Sequence, residues 1–234
     1  MAGISHILVL SIGNPGSYLN TLHSAGHVAL EALRRELMLQ PFAQSRVFGS
    51  PSAPTTISAA GDGPRYTLIQ SPTLMNVSGP WVAKAWRGAL KAQGDEGTSR
   101  AVNRVGLLLI HDDLEEALGV LKVRPWTRSH RGHNGLKSIS TKLRPAEFEG
   151  AHWARVSVGI GRPDERDKMS VSDYVLRQMS SEERTTLDDL GPGLLATLQK
   201  IEAQWAAGEA VWTSTAKQLK PPKPPRTRPN TRQP

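Results

Sequence analysis

Apolar residues are grouped along the chain in short runs that alternate with longer amphipathic stretches. The short runs are rich in leucine and β-branched residues, which is typical of strands. They predict strands at 7–13, 55–60, 66–70, 105–113, 120–124 and 155–161. The run VGLLLIHDD (105–113) is continuously apolar before it ends in charge, as expected of a strand that is covered on both faces.

The amphipathic stretches predict helices at 23–39, 77–92, 134–144, 171–178 and 181–216, the last one broken near Gly191-Pro192-Gly193. Strands that alternate with helices indicate an α/β fold: a single domain with a mixed, twisted sheet and helices on both faces. Ligands bind in such folds beyond the carboxyl ends of the strands. The end of the central run, His111-Asp112-Asp113, is therefore a candidate site.

The chain has 234 residues, of which 38% are hydrophobic, enough for one domain with a sizeable core. We predict that this domain spans 1–216 and that the basic, proline-rich segment 217–234 is a disordered tail. No apolar run reaches about 18 residues, so no membrane span is expected. No targeting presequence is evident, which favours the cytoplasm, with mitochondria as the alternative.

The formal net charge of +8 has two sources. The segment 217–234 carries six basic residues and no acid, so that 8 − 6 leaves +2 for 1–216. The segment 117–146 carries seven basic residues and no acid, which indicates either a solvated face or a footprint for RNA. Cysteine is absent, which excludes disulfides, thiolate zinc sites and a cysteine nucleophile.

The first strand leads into Gly13-Asn14-Pro15-Gly16. This is not a dinucleotide-binding loop, because the third glycine is missing and Pro15 lacks a backbone donor; on its own it would be a turn. His23 and His27 follow at the i, i+4 spacing of zinc helices, yet the glutamate of such helices is missing. Gly26 indicates the close approach of another backbone, and His27 is best interpreted as a core or surface histidine.

His111-Asp112-Asp113 allows three interpretations: a Mg²⁺ site, an acid and base pair, or a capped turn. A single aspartate beside a histidine from another strand end has a more specific role: it orients the histidine ring and stabilises the imidazolium that forms when the ring takes a proton. His130 and His133 could bind metal, but no cysteine or acid completes a set. We expect no metal and no cofactor.

Asparagines occur at three loop junctions: Asn14, Asn76 and Asn134. Helix capping explains each of them separately, Asn134 above all. Because an asparagine side chain has donors and an acceptor but does not titrate, the three together are better explained as side chains that hold an amide or ester substrate.

Five motifs in this order carry a resemblance to a known family: GNPGxY…HxAG (13–26), PTxMNxSG (72–79), HDDL (111–114), RGHNGLK (131–137) and VGIGxP (158–163). The chain resembles the bacterial-type peptidyl-tRNA hydrolases over about 7–216. The resemblance implies a monomeric α/β enzyme without a cofactor that cleaves the ester joining a peptide to tRNA. Its partner is peptidyl-tRNA, and no membrane is involved.

The resemblance also implies roles for particular residues. His23 falls on the catalytic histidine and Asp112 on its carboxylate partner. The residues implied in substrate binding are Asn14, Tyr18, Met75, Asn76, His133 and Asn134. The residues implied as phosphate contacts are Lys122, Arg124 and Arg155.

The chain departs from the family pattern at a few positions. Ser24 stands where the family has asparagine, Leu22 where it has arginine, and Leu74 where it has an aromatic residue. The segment 115–119 replaces an acidic, proline-containing turn. Two rival functions are a catalytically silent RNA-binding protein, which the retained histidine, aspartate and asparagines disfavour, and a His/Asp metallohydrolase, which sensitivity to chelators would reveal.

Overall fold

A computed structural model describes residues 4–48, 52–58, 65–94, 102–165 and 167–209. Within these residues, seven strands form one sheet in the order β2-β3-β4-β1-β5-β7-β6. The strands are β1 (His6–Ser11), β2 (Ala43–Ser45), β3 (Ala53–Ile57), β4 (Arg65–Gln70), β5 (Val105–Asp113), β6 (Leu121–Pro125) and β7 (His152–Gly159).

The helices that lie entirely within these ranges are α1 (Ala25–Glu36), α2 (Ser78–Lys91), α3 (Asn134–Lys142), α4 (Lys168–Leu176), α5 (Ser181–Asp188) and α6 (Gly191–Ala206). Short 3-10 turns precede two of them, Leu22–Ser24 before α1 and Met75–Val77 before α2. None of the helices in the described ranges is long and apolar enough to cross a membrane.

Strands β4, β1, β5 and β7 are parallel, whereas β2, β3 and β6 are added antiparallel at the two edges. The mixed α/β sheet that the alternation predicted is therefore confirmed. Side chains of successive strand residues point to opposite faces, so Leu108 and Ile110 belong to one core and Leu107 and Leu109 to the other. Both faces of β5 are buried, as its continuous apolar run indicated.

The boundaries differ from the sequence-based ones where polar groups decide them. The helix predicted from 171 begins at Lys168, because Asp167 caps it by accepting hydrogen bonds from the N–H groups of Met169 and Ser170. The strand predicted from 155 begins at His152. The short edge strand β2 was missed because it has no buried alternation, and the tail at 217–234 lies outside the described residues.

Candidate active site

The carboxyl ends of β1 and β5 and the start of α1 meet at one edge of the sheet. Gly26 allows α1 to approach both strand ends closely: a Cβ atom there would lie 2.8 Å from the carbonyl oxygen of Ile12 and 3.0 Å from that of Ile110. Only glycine fits so near to two strand ends, as the sequence indicated. The 3-10 turn that carries His23 is thereby held against the end of β5, where Asp112 lies.

Asp112 lies between two histidines. Its Oδ2 is 2.9 Å from Nδ1 of His23, and its Oδ1 is 3.0 Å from Nε2 of His133. The aspartate is only 2% exposed, so the two ring N–H groups take the place of water around its carboxylate. The neighbouring Asp113 does not share this site; its Oδ1 accepts from the N–H of Glu115 and caps the turn after β5.

The backbone determines which nitrogen of His133 carries the proton. His133 is the N-cap of α3, and its Nδ1 accepts a hydrogen bond from the N–H of Leu136 at 3.3 Å. In the neutral ring the proton is therefore on Nε2, which donates to Asp112. Helix capping by Asn134 was the wrong interpretation: Asn134 is the first residue of α3, and its side chain is exposed.

The charges in this group shift the pKa values in opposite directions. Burial favours the neutral form of Asp112, but the facing His23 and His133 outweigh it and lower the pKa of the carboxyl group well below its usual range. Burial is also the largest single effect on His23 and lowers its pKa. The charge and hydrogen bond of Asp112 together exceed that effect, so the pKa of His23 is raised above 6.5.

The other buried histidines are poor bases. Burial lowers the pKa of His111 to about 3 and that of His27 to about 4. His111 donates from Nδ1 to the carbonyl oxygen of Asp112 at 2.7 Å, and His27 is paired with Ser11 at 2.7 Å. His27 is thus a core histidine. His23 differs, because its Nδ1 faces the Asp112 carboxylate and its side chain is 19% exposed, whereas the Nε2 atoms of His27 and His111 are buried without a hydrogen-bond partner in the described part of the chain.

A cleft of about 840 Å³ opens beside His23. One wall of the cleft is formed by α4, which contributes Val171, Ser172 and Val175. Sequence analysis missed this wall, because no motif falls on it. The cleft is lined by these residues that the sequence analysis named: Asn14, Tyr18, His23, Met75, Asn76, Asp112, Arg124, His133, Asn134 and Arg155.

Asn14 lines the cleft and also makes a hydrogen bond within the protein. Its side chain is 7% exposed, and its Oδ1 accepts from the N–H of Met75 at 2.9 Å, which fixes the turn that carries Asn76. Asn76 and Asn134 are exposed on the rim. None of the three is the N-cap residue of a described α-helix, so capping does not explain them.

Ser24 is a positioning residue that the sequence showed only as a departure from the family pattern. It is fully buried, and its hydroxyl oxygen accepts from the N–H of Asn14 at 2.9 Å. The hydroxyl also lies 3.0 Å from the carbonyl oxygen of Asn14 and 2.9 Å from that of Tyr18. Ser24 therefore ties the loop after β1 to the turn that carries His23.

The three cations proposed as phosphate contacts differ in their surroundings. Arg155 is 4% exposed and donates to the carbonyl oxygens of Pro125 and Arg128, so it braces the loop after β6. Burial, with the charge of Arg124 next in importance, lowers the pKa of Arg155 to about 10. Lys122 and Arg124 form ion pairs with Glu116, and Arg124 forms a second one with Asp113 at 3.4 Å. Lys122 does not line the cleft.

The donor atoms of His23, Asp112 and His133 lie within 4.8 Å of one another, a spacing that a metal ion could use. In this arrangement, however, the ring nitrogens that would bind the ion are already hydrogen-bonded to the carboxylate. A metal would have to displace both protons.

Comparisons with known proteins agree with this geometry. The sequence model of a family described as peptidyl-tRNA hydrolase matches residues 8–220. A peptidyl-tRNA hydrolase of Geobacter sulfurreducens is 34% identical over 197 residues, 83% of this chain and 88% of the relative. One of Delftia acidovorans is 31% identical over 225 residues, 96% of each chain.

The fold matches a solved structure over a similar range. The crystal structure of peptidyl-tRNA hydrolase from Acinetobacter baumannii superposes with a TM-score of 0.60 and 25% sequence identity. The match covers 88% of this chain and 98% of that one.

Proposed function

Because the chain belongs to the peptidyl-tRNA hydrolase family, we propose that it cleaves the ester between peptide and tRNA by general-base catalysis at His23. The observation that carries the mechanism is the pair of ring nitrogens: Nδ1 lies 2.9 Å from Asp112, and Nε2 has no partner among the described residues. Nε2 takes a proton from a water molecule, which attacks the ester carbonyl carbon. The tetrahedral intermediate then expels the tRNA ribose oxygen, which takes the proton back from Nε2 of the His23 imidazolium and so restores the free base.

Asp112 supports this step in two ways. It holds the ring of His23 in the tautomer that leaves Nε2 unprotonated, and it stabilises the imidazolium that forms when the water is deprotonated. His133 is a positioning residue, because its Nε2–H occupies Oδ1 and leaves Oδ2 for His23. A positioned general base contributes about 10²–10⁴-fold to the rate.

The two parts of the substrate differ in chemistry, and so do the surfaces around the cleft. Asn76 and Asn134 offer amide groups at the rim beside Met75, which suits the peptide and the ester. Arg128 and Arg131 are exposed cations that line the cleft, which suits the phosphates of tRNA. We also propose that Lys122 and Arg124 contact tRNA phosphates. Arg155 would support this contact indirectly, through the loop that it braces.

The test is turnover of an N-acetylaminoacyl-tRNA, a small peptidyl-tRNA mimic, beside the same aminoacyl-tRNA with a free amino group. The acylated substrate should be cleaved and the free one spared. His23→Ala should lower kcat by at least about 10²-fold with little change in melting temperature or in binding of deacylated tRNA. Near wild-type kcat in this variant would refute the general-base role.

The catalytically silent RNA-binding protein is the alternative that this assay tests, because it predicts binding without turnover. Three properties stay predictions, each with its own test. Light scattering of the purified chain tests whether it is a monomer, and imaging of a fluorescent fusion tests whether it lies in the cytoplasm rather than in mitochondria. Limited proteolysis tests whether a domain at 1–216 is followed by a tail.

A further inference from the structure

Strand β6 presents two cations on one of its faces. Lys122 and Arg124 are two residues apart, so their side chains point the same way, while Leu121 and Val123 on the other face pack against a hydrophobic core. A pair of cations at this spacing on an edge strand is suited to an anion that lies across the strand.

The Glu116 carboxylate already lies between the two cations, and Arg124 also forms a longer ion pair of 3.4 Å with Asp113. Glu116 Oε2 is 2.5 Å from Nζ of Lys122, and Oε1 is 2.5 Å from the guanidinium of Arg124. Each cation therefore has its own oxygen. The Glu116 side chain is 12% exposed, whereas that of Lys122 is 37% exposed, so the cluster lies at the surface and is open to solvent on the lysine side.

The backbone that carries Glu116 is held firmly. The N–H of Gly161 donates to the carbonyl oxygen of Glu116 at 2.9 Å, and the N–H of Gly119 donates to the carbonyl oxygen of Gly159 at 3.0 Å. A Cβ atom on Gly159 would lie 2.0 Å from the carbonyl oxygen of Ala117, so the turn and β7 are in direct backbone contact. Displacement of the Glu116 carboxylate therefore requires rotation of its side chain rather than movement of the backbone.

We propose that the Glu116 carboxylate occupies the position of an RNA phosphate between Lys122 and Arg124, and that tRNA binding displaces it. The inference rests on the proposed function, since it assigns these cations to the tRNA backbone. Carboxylate and phosphate oxygens accept the same charge-assisted hydrogen bonds, so each excludes the other. Glu116 thus weakens RNA binding at this strand, and only an RNA held by further contacts displaces it.

Glu116→Gln tests this, because it keeps the side-chain length and removes the charge. Its affinity for deacylated tRNA at low salt should increase about two- to fivefold, the size expected of a partly exposed ion pair. The gain should shrink as salt is added, because the freed cations make binding more dependent on salt. Unchanged or weaker binding would refute the proposal.

Glu115→Gln is the matched control. It makes the same change in net charge on the same turn, but its carboxylate pairs with Arg162 rather than with β6. Its gain in affinity should be clearly smaller. Equal gains in the two variants would mean that net charge alone is responsible, which would overturn the proposal.

A double-mutant cycle isolates the competition between Glu116 and RNA for Lys122. Lys122→Gln should cost more tRNA affinity in the Glu116→Gln background than in the wild type, where Glu116 already neutralises the lysine. Equal costs would refute the competition. Melting temperatures confirm that each variant is folded, and turnover of N-acetylaminoacyl-tRNA is measured separately. Absence of turnover in the wild type would refute the proposed function, whereas the pattern of RNA affinities decides the role of Glu116.

Discussion

Replacing Asp112 by asparagine keeps the shape of the side chain but removes its charge and one of its two acceptors. The direction in which the new amide group turns follows from the structure. His133 must keep its proton on Nε2, because its Nδ1 accepts from the N–H of Leu136. The amide oxygen therefore faces His133, and the amide NH₂ faces His23.

His23 then takes the wrong tautomer. Its Nδ1 must accept from the NH₂ group, so Nε2 carries the proton and cannot deprotonate water. Restoring the reactive tautomer would place two donors against each other, at a cost of about 1–3 kcal/mol for a buried unsatisfied group. Loss of the charge-assisted hydrogen bond adds about 1.5–3 kcal/mol. Together these terms lower kcat by about 10²–10⁴-fold.

The assay is single-turnover cleavage of N-acetylaminoacyl-tRNA, with binding of deacylated tRNA as the control. Asp112→Asn should lose kcat and keep tRNA affinity. Adding His133→Ser should restore part of the lost kcat, because serine caps α3 well but is too short to reach residue 112, so the amide oxygen is free to turn to His23. A kcat within tenfold of wild type in the single variant, or no recovery in the double one, would refute the tautomer argument.

Three further results are expected. Asn76→Ala or Asn134→Ala should lower kcat/KM for the acylated substrate while deacylated tRNA binding and melting temperature stay near wild type; normal kinetics would exclude a role in substrate binding. Activity should fall as pH falls through the pKa of His23, which lies above 6.5 because the effect of Asp112 outweighs that of burial. In Asp112→Asn, kinetic pH profiles should show this loss of activity at a lower pH, because the charge that raises the pKa is gone. Protein treated with a chelator, then assayed with Mg²⁺ supplied for the tRNA, should keep its kcat; loss that zinc restores would favour the metallohydrolase.

Much of the fold was predictable because its signals are local. The run 105–113 is apolar throughout, and the structure places it as a central strand with both faces covered. Gly191-Pro192-Gly193 predicted the break that separates α5 from α6. Strand β2 has no such signal, since its short exposed sequence is held only by pairing with β3.

The candidate site was predictable as a set of residues but not as a set of hydrogen bonds. The resemblance to the family implied that His23, Asp112 and His133 belong to one site, and the structure brings the three together. Which nitrogen of His133 donates to Asp112 depends on the N–H of Leu136, a backbone group that no residue pattern reports. The same holds for Ser24, whose hydroxyl is hydrogen-bonded because the carbonyl oxygens of Asn14 and Tyr18 converge on it. A substituted position in a motif is therefore best judged by the backbone groups that it satisfies.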